Sequence, residues 1–515
     1  MADQMTYDVA IVGYGPVGVT AANLLGQMGL TVVVVERDPD IYARARAIST
    51  DEEVLRIWQQ VGLADRLNAD MQPGCGANFV DADGVPFVKL LPASRGNGHP
   101  PQQFIYQPAL EKVLRAGVDR FPNVSLLLEH ECLRLIQRPD HVELMLADLR
   151  VDEFRRIRAS YVIAADGGSS ATRAQLGIGF SGRTFAERWI VIDTKVLVEW
   201  PGHDRLRFHC NPDRPTVDCP TPLGHHRWEF PVRGDEDERD LLNEDAIWKV
   251  LRGQGISEKN VEILGYACYS HHVRFADRWR VGRIFLAGDA AHAMPPWIGQ
   301  GMCAGVRDVG NLCWKLAAVL GGKLPESVLD TYQAERLPHV KEVTERAVKT
   351  GKLIIQRNRW RATARNHIFR TASRLPYFLT WLRNHRWLPD AHYGDGFVAN
   401  NGNGATGWLI PQPSVMDEKG DTVRLDDVLG GRWNVLHVGS PPDVSAWRSA
   451  GVPIIRITSP GTVPGPDSIV DCDGSLTRWL EKKNASTVVV RPDGFIYAGA
   501  HTNQPLPTPP AGFIA

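Results

Sequence analysis

No CxxC pair occurs in the 515 residues, and the eight cysteines are scattered without metal-ligand spacing. That excludes a thioredoxin-type redox centre and a cysteine-built metal site, so reduced, mostly buried thiols and no metal are expected. An excess of charge of one sign is also missing. Lys and Arg number 58 against 59 Asp and Glu, a net charge of -1, which gives no electrostatic reason to expect nucleic acid or an acidic membrane as partner. No apolar run approaches the roughly 20 residues of a membrane span. The chain passes from MADQMTY directly into a strand, without a basic region, apolar core or cleavage site, so a cytoplasmic protein is expected. Internal repeats and low-complexity tracts are lacking too. What remains is ordinary soluble composition, 43% hydrophobic and 23% charged, at a length that suits two or three domains.

Tyr7 to Val12 (YDVAIV) reads as a continuous apolar strand. It runs into Gly13-Tyr-Gly15-Pro16-Val-Gly18, then a helix, then a second strand, Thr31 to Val35, ending at Glu36 and Arg37. Strand, GxGxxG, helix, strand, acid is the order of a dinucleotide-binding unit. Gly13 permits the tight turn, Gly15 lets backbone approach a pyrophosphate, Gly18 lets helix and strand pack closely, and Glu36 is placed for a ribose diol. No second GxGxxG follows, which argues against the two-domain disulfide-reductase type.

Further along, ARARAIST places Arg44 and Arg46 in a loop where either reaches phosphate oxygens or stays solvated. Gln107 stands at a strand-to-helix junction, within reach of a cofactor edge. Val80 to Leu91 reads as a hairpin turning at Asp83-Gly84, and Asn123 to Leu146 as two strands. The buried strand YVIAA delivers Asp166-Gly167 in DGGSSATR, again an acid and glycines at a strand's carboxyl end. Long alternating strands between Phe180 and His272 suggest a separate, mainly antiparallel sheet. The chain then returns in GRIFLAGDAAHAMPPWIGQG. There Gly288-Asp289 turns the chain, Asp289 to His292 reads as a helix start broken by Pro295-Pro296, and Gly299-Gln300-Gly301-Met302 precedes a long helix. Thr331 to Trp387 reads as helical, with Asn400 to Gly404 as a linker to a small α/β unit.

GYGPVG with Glu36, DGGSSATR, and the GD stretch with PPWIGQG together resemble the single-component flavoprotein aromatic hydroxylases, over nearly the whole chain. NLLGQMGL, RFPNV, WIVID, DTYQAER and VVVRPD resemble most closely the branch acting on 3-hydroxyphenylpropionate-like acids. The resemblance implies an α/β fold with a Rossmann-like FAD-binding domain in three parts (1–76, 109–179 and 276–398). It further implies a substrate-side hairpin (77–108), a mainly antiparallel substrate sheet (180–275), and a thioredoxin-like C-terminal domain without redox cysteines (399–515).

It also implies FAD, with NADH or NADPH as co-substrate, and a phenolic substrate hydroxylated by O2 through a C4a-hydroperoxyflavin. A polycyclic substrate or a reductase on the same fold are the alternatives, and a homodimer is the expected assembly. By the same resemblance Gly13, Gly15, Pro16, Gly18, Glu36, Arg37, Arg46 and Gln107 attend the FAD phosphates and adenosine. Asp166 and Gly167 attend FAD and nicotinamide, Gly288 and Asp289 the ribityl chain, and Pro295, Gly299, Gly301 and Met302 the isoalloxazine. Cys303 stands where relatives usually carry Asn.

Two protein tasks remain, taking the phenol proton and excluding water. Tyr269, in CYSHHVRF, is the expected proton acceptor, and His271 or His272 a relay. His292 is expected to stabilise the helix start and Trp297 to wall the pocket. Arg207, His209 and Arg214 are candidates for a substrate carboxylate, against the plainer reading of surface charge.

Overall fold

Four consecutive valines, Val32–Val35, are buried on both faces, as a strand in the middle of a parallel sheet must be. Strand Thr6–Val12 lies beside them, and Glu153–Ala164 lies on its other side, both in parallel register. Val124–Leu127 and Ile284–Leu286 extend the parallel core outward. The computed structural model describes residues 6–41, 46–74, 76–378, 388–399, 401–502 and 504–514. In this sheet four stretches far apart in sequence end along one edge: the glycine turn after Val12, Glu36 after Val35, Asp166 after Ala164, and Gly288 after Leu286. Binding groups collect at the carboxyl ends of strands in such sheets.

A second sheet of eight strands is mainly antiparallel and is built on the pairing of Phe180–Val196 with Val261–Ala276. The hairpin Ala77–Val80/Pro86–Leu90 joins it through a parallel pairing with Leu206–His209. Strand alternation gives this sheet two different faces. Ile190, Ile192, Trp228 and Phe230 pack against Ile247, Trp248 and Leu251 of helix Glu244–Gly253. Trp189, Phe208 and Val217 belong to the opposite core, shared with Phe104 and Trp297.

The remaining chain forms a seven-stranded sheet between Ser414 and Ala500. Buried charge fastens it to the first unit. Arg491 donates to both oxygens of Glu335 at 2.8 and 3.0 Å, and Glu335 also accepts from Lys315 at 2.8 Å. On another side Arg56 grips Asp426 through two bonds of 2.8 and 2.7 Å. Among the described residues no helix is long and apolar enough to cross a membrane.

Three local expectations are corrected. Asp289 to His292 does not start an α-helix: a 3-10 turn, Gly288–Ala290, gives way to the short strand His292–Ala293, which pairing with Arg274 and Phe275 draws into the second sheet. Asn123 to Leu146 carries three strands, because a tight turn at Leu128–Glu129 splits the first (Val124–Leu127) from the second (His130–Gln137). Among the described residues the helical stretch after Thr331 is broken into Thr331–Ile354 and Arg359–Ala372, with residues 376–378 helical again. The break occurs where Asn358 turns extended and its side chain caps the second helix by accepting from Arg361 N–H. Residues 379–387, the end of that expected helix, lie outside the described residues, as does Asn400 of the linker.

Candidate active site

A cavity of about 500 Å³ runs between the strand ends of the first sheet and the inner face of the second. Its first wall is mostly backbone. Gly13 has φ +100°, and a Cβ there would sit 2.4 Å from the Ala165 carbonyl oxygen; one at Gly18 would sit 2.0 Å from the Gly13 oxygen. Both positions are therefore closed to any side chain. Gly15 differs. A Cβ there would meet nothing within 4 Å, and Gly15, Pro16 and Val17 line the cavity at the start of helix Pro16–Gln27. That helix start presents unpaired N–H groups and the positive end of its dipole.

Glu36 holds this turn. One oxygen accepts from Tyr14 N–H at 2.7 Å and the other from Asp38 N–H at 3.0 Å. Arg37 is 71% exposed, pairs with Asp38 at 3.9 Å, and is not among the lining residues. Gln107 does line the cavity, yet both ends of its amide are engaged. Its oxygen accepts from the N–H groups of Arg46 and Ala47 at 2.8 and 2.7 Å, and its nitrogen donates to Glu111. It thus braces the loop that brings Arg46 to the wall. Arg44 lies outside the described residues.

At the next strand end, Asp166 accepts from Thr172 N–H at 3.0 Å through one oxygen, while its other oxygen is buried without a partner. Gly167, with φ +78°, lines the cavity beside it. Asp289 opens into the cavity, and burial of its surroundings raises its carboxyl above the ordinary range against the opposing pull of His292 and Arg46. Pro295 itself is set back; Met294 and Pro296 to Met302 form the lining, with Gly301 and Met302 opening helix Gly301–Leu320. Gly299, at φ +65°, leaves no room for a Cβ, which would lie 2.4 Å from Ser49 Oγ.

Beside this loop, and itself lining the cavity, stands a brace that spacing did not reveal. Arg307 donates to Asp51 at 2.7 Å and to the Gln300 oxygen at 3.0 Å, and it pairs with Glu53 at 2.8 Å; Gln300 donates to the same Asp51 oxygen. Cys303, by contrast, is fully buried, with Sγ 3.8 Å from the Ser49 carbonyl and outside the lining. Burial pushes its thiol well up, so it stays protonated.

His292 does not cap a helix. It is buried and bonds Asp308 at 2.7 Å, and Asp308 also accepts from Gly288 N–H at 3.1 Å and from Arg336 at 3.0 Å. The imidazole therefore serves the backbone that aims Asp289.

The second wall is side chain: Phe104, Leu206, Phe208, Val217, Trp297 and one carboxylate, Glu229. His271 stacks on Trp189 at 5.7 Å and meets Trp297 edge-on at 5.2 Å. Burial lowers it to about 4. Tyr269 is half-buried, cross-strand from Trp189. Neither Tyr269 nor His271 is among the lining residues; His272 bonds Thr184 at 3.0 Å. The substrate-carboxylate candidates turn elsewhere. Arg207 and His209 reach Asp218 at 3.0 and 2.6 Å, with Arg207 cross-strand from Asp218 in the row of Trp228, on the face away from the cavity; Arg214 pairs with Glu236. Among the described residues no cluster of three or more His, Cys, Asp or Glu is arranged to hold a metal.

An open helix start, an orphaned buried carboxylate oxygen and an acid at a strand end fit a ligand with phosphates and hydroxyls, as FAD has. Comparison with known proteins agrees. The family described as FAD binding domain matches residues 6–347, and the HcaD C-terminal domain matches residues 407–511. A 3-(3-hydroxy-phenyl)propionate/3-hydroxycinnamic acid hydroxylase of Escherichia coli is 35% identical over 511 residues, covering 96% of this chain and 91% of that protein. A second hydroxylase of that name, from Burkholderia vietnamiensis, is 35% identical over 512 residues, covering 95% and 93%. Among solved structures, the flavin-dependent monooxygenase PieE in complex with FAD and substrate superposes with a TM-score of 0.81 at 23% identity, and aklavinone-11 hydroxylase with FAD and aklavinone with 0.78 at 23%. Each covers 96% of both chains. With motifs, fold and relatives in agreement, the chain belongs to the FAD-dependent aromatic hydroxylases, the flavoprotein monooxygenases built on this FAD-binding domain.

Proposed function

We propose that the protein hydroxylates a small phenolic acid of the 3-hydroxyphenylpropionate type, at the expense of O2 and NADH or NADPH. The observation that carries this reading is one cavity with two chemically different walls, a backbone wall suited to phosphates and hydroxyls and an apolar, aromatic wall suited to a ring. Bound FAD supplies electron transfer from the nicotinamide and activation of oxygen.

The chain's own residues bind, orient and shield. Gly15 gives backbone access to a pyrophosphate while Gly13 and Gly18 keep the turn tight; Glu36, outside the cavity lining, would accept from the adenosine ribose at the edge of that turn, and Asp289 would accept from the ribityl hydroxyls. Asp166 with Gly167 adds a second polar strand end, and Pro296 to Met302 makes the stiff floor under the flavin ring. Phe104, Phe208 and Trp297 keep water from the space where the substrate ring sits. Arg46 and Arg95 line the same cavity among the acids Asp51, Glu52, Glu53, Glu229 and Asp289; with the Arg95 guanidinium given to the Pro389 and Leu388 carbonyls, Arg46 is the cation offered to a substrate carboxylate. The named activity of the 35% identical relatives supports the phenylpropanoid class.

Stopped-flow mixing of the yellow holoenzyme with NADH or NADPH in air, with and without a panel of phenolic acids, tests the reading. One phenol should accelerate flavin bleaching and yield a hydroxylated product. Bleaching indifferent to every small phenol, or reduced flavin that spends its electrons on an organic acceptor in place of oxygen, would overturn it.

A further inference from the structure

Among the described residues Glu229 is the one acidic side chain that the second sheet brings to the cavity, and its charged partner, Arg227, is shared with Asp193. It lies on strand His225–Pro231, cross-strand from Val217 on one side and Val191 on the other. Val217 in turn opposes Phe208, so the carboxylate stands in an otherwise apolar row. Glu229 is 9% exposed, and what it exposes lines the cavity. Among the described residues it accepts no hydrogen bond, and its one ion pair is a distant 4.0 Å to Arg227.

Arg227 is already neutralised. Its guanidinium makes bonds of 2.7 and 3.1 Å to Asp193 and a third, of 2.9 Å, to the Arg46 carbonyl. Glu229 is therefore the surplus charge of the group. A buried carboxylate short of donors is costly unless a partner arrives from outside the fold. An ionised carboxylate can only accept, so that partner must bring an O–H or N–H into the cavity.

We propose that Glu229 is the catalytic base of this enzyme, accepting the substrate's phenolic proton as the ring is hydroxylated. This rests on the phenol-hydroxylase reading above. The phenol O–H bond breaks, an O–H bond forms on Glu229, and the electron pair left on oxygen raises ring density at the ortho carbon. Once the ring carries its new oxygen, the proton released from the attacked carbon passes to water, and Glu229 returns its own proton to the same phenolic oxygen, so the product leaves neutral and Glu229 is ionised again. Charged and titratable neighbours are Arg227 on the same strand, Asp193 on Phe180–Val196 and Cys219 on Thr216–Thr221. Burial holds the Glu229 carboxyl above its ordinary value against the opposing pull of Arg227, with Asp193 adding to the rise, and burial keeps the Cys219 thiol neutral. A base of raised pKa is better matched to a phenol of pKa about 10.

The test measures kcat for hydroxylation against pH, with 3-(3-hydroxyphenyl)propionate as probe, for wild-type holoenzyme, Glu229→Gln, Glu229→Asp and Tyr269→Phe. Wild type should lose activity on an acidic limb as Glu229 takes up a proton. Glu229→Gln should lower kcat at least tenfold and abolish that limb, while Glu229→Asp keeps the limb and part of the rate. A Glu229→Gln profile like wild type overturns the proposal, and so does a lower rate with the limb unmoved, which would make Glu229 a packing residue. A limb lost only in Tyr269→Phe overturns it in favour of Tyr269. Should Glu229→Gln fail to fold, an unshifted limb in Glu229→Asp overturns it. Wild type that hydroxylates no phenol defeats the parent reading instead.

Discussion

The two walls of the cavity are made of different material. The first is main chain, shaped by glycines whose missing side chains are its whole design: Gly13 and Gly18 are closed to a Cβ by 2.4 and 2.0 Å approaches. The second is side chain: Leu206, Phe208, Val217 and Glu229 are carried on a sheet whose opposite face packs helix Glu244–Gly253, and Phe104 and Trp297 join them from outside it. A main-chain wall accepts almost no change and binds what is constant, a cofactor. A side-chain wall changes at each alternate residue and is where substrates are told apart.

Substitutions can break this contrast. The largest effect is expected of Gly18→Ala, whose new methyl collides with backbone. Overpacking of this kind costs about 1–3 kcal/mol, so melting temperature and flavin content should fall together. Gly15→Ala should separate them, since its Cβ meets nothing in the fold. The apoprotein's melting temperature should hold while the flavin-to-protein ratio drops. If both glycines behave alike, the main-chain wall is one packing unit and Gly15 has no special access role. Next in size, Asp289→Ala should weaken FAD retention by about tenfold, the scale of one lost hydrogen bond to a buried polar partner; an unchanged flavin ratio after gel filtration would contradict the ribityl role.

The side-chain wall is tested by acid. In the unfolded chain His271 takes up a proton near pH 6.5, whereas in the fold burial holds it neutral down to about 4. The unfolded state therefore binds more protons in that window. Stability should fall as pH drops from about 6.5 to about 4, by up to about 3 kcal/mol. His271→Phe keeps a ring between Trp189 and Trp297 and should flatten that slope in denaturant titrations at several pH values. If it also leaves hydroxylation intact, His271 is no relay. The smallest effect is expected of Arg37→Ala. Its exposed side chain is outside the lining, and flavin retention should stay within about twofold, as exposed ion pairs contribute little.

The same contrast explains what could be read from the chain alone. Glycine spacing and strand-end acids announce a main-chain wall directly, because the backbone geometry they permit is local; Gly13 to Gly18, Asp166 and Asp289 all reach one edge. Gln107 was legible as a position but not as a role, since its bonds to Arg46 and Ala47 N–H depend on a loop 60 residues earlier. The side-chain wall was hidden by register. A slip of one residue exchanges the faces of a strand, and this decides that Glu229 lines the cavity while Arg207, His209 and Asp218 pair on the other side. The Arg307–Asp51–Glu53 brace was equally hidden, for its members lie about 250 positions apart.

The bond between Arg491 and Glu335 limits how this gene can be cut. Glu335 and Lys315 sit in the first unit, and Arg491 arrives from nearly the end of the chain. A shortened gene ending near residue 398 would take Arg491 from Glu335 and Lys315 and open to water the surface of the first unit that now covers them. The unit that carries Arg491 is therefore not an appendix to be trimmed or exchanged like a tag.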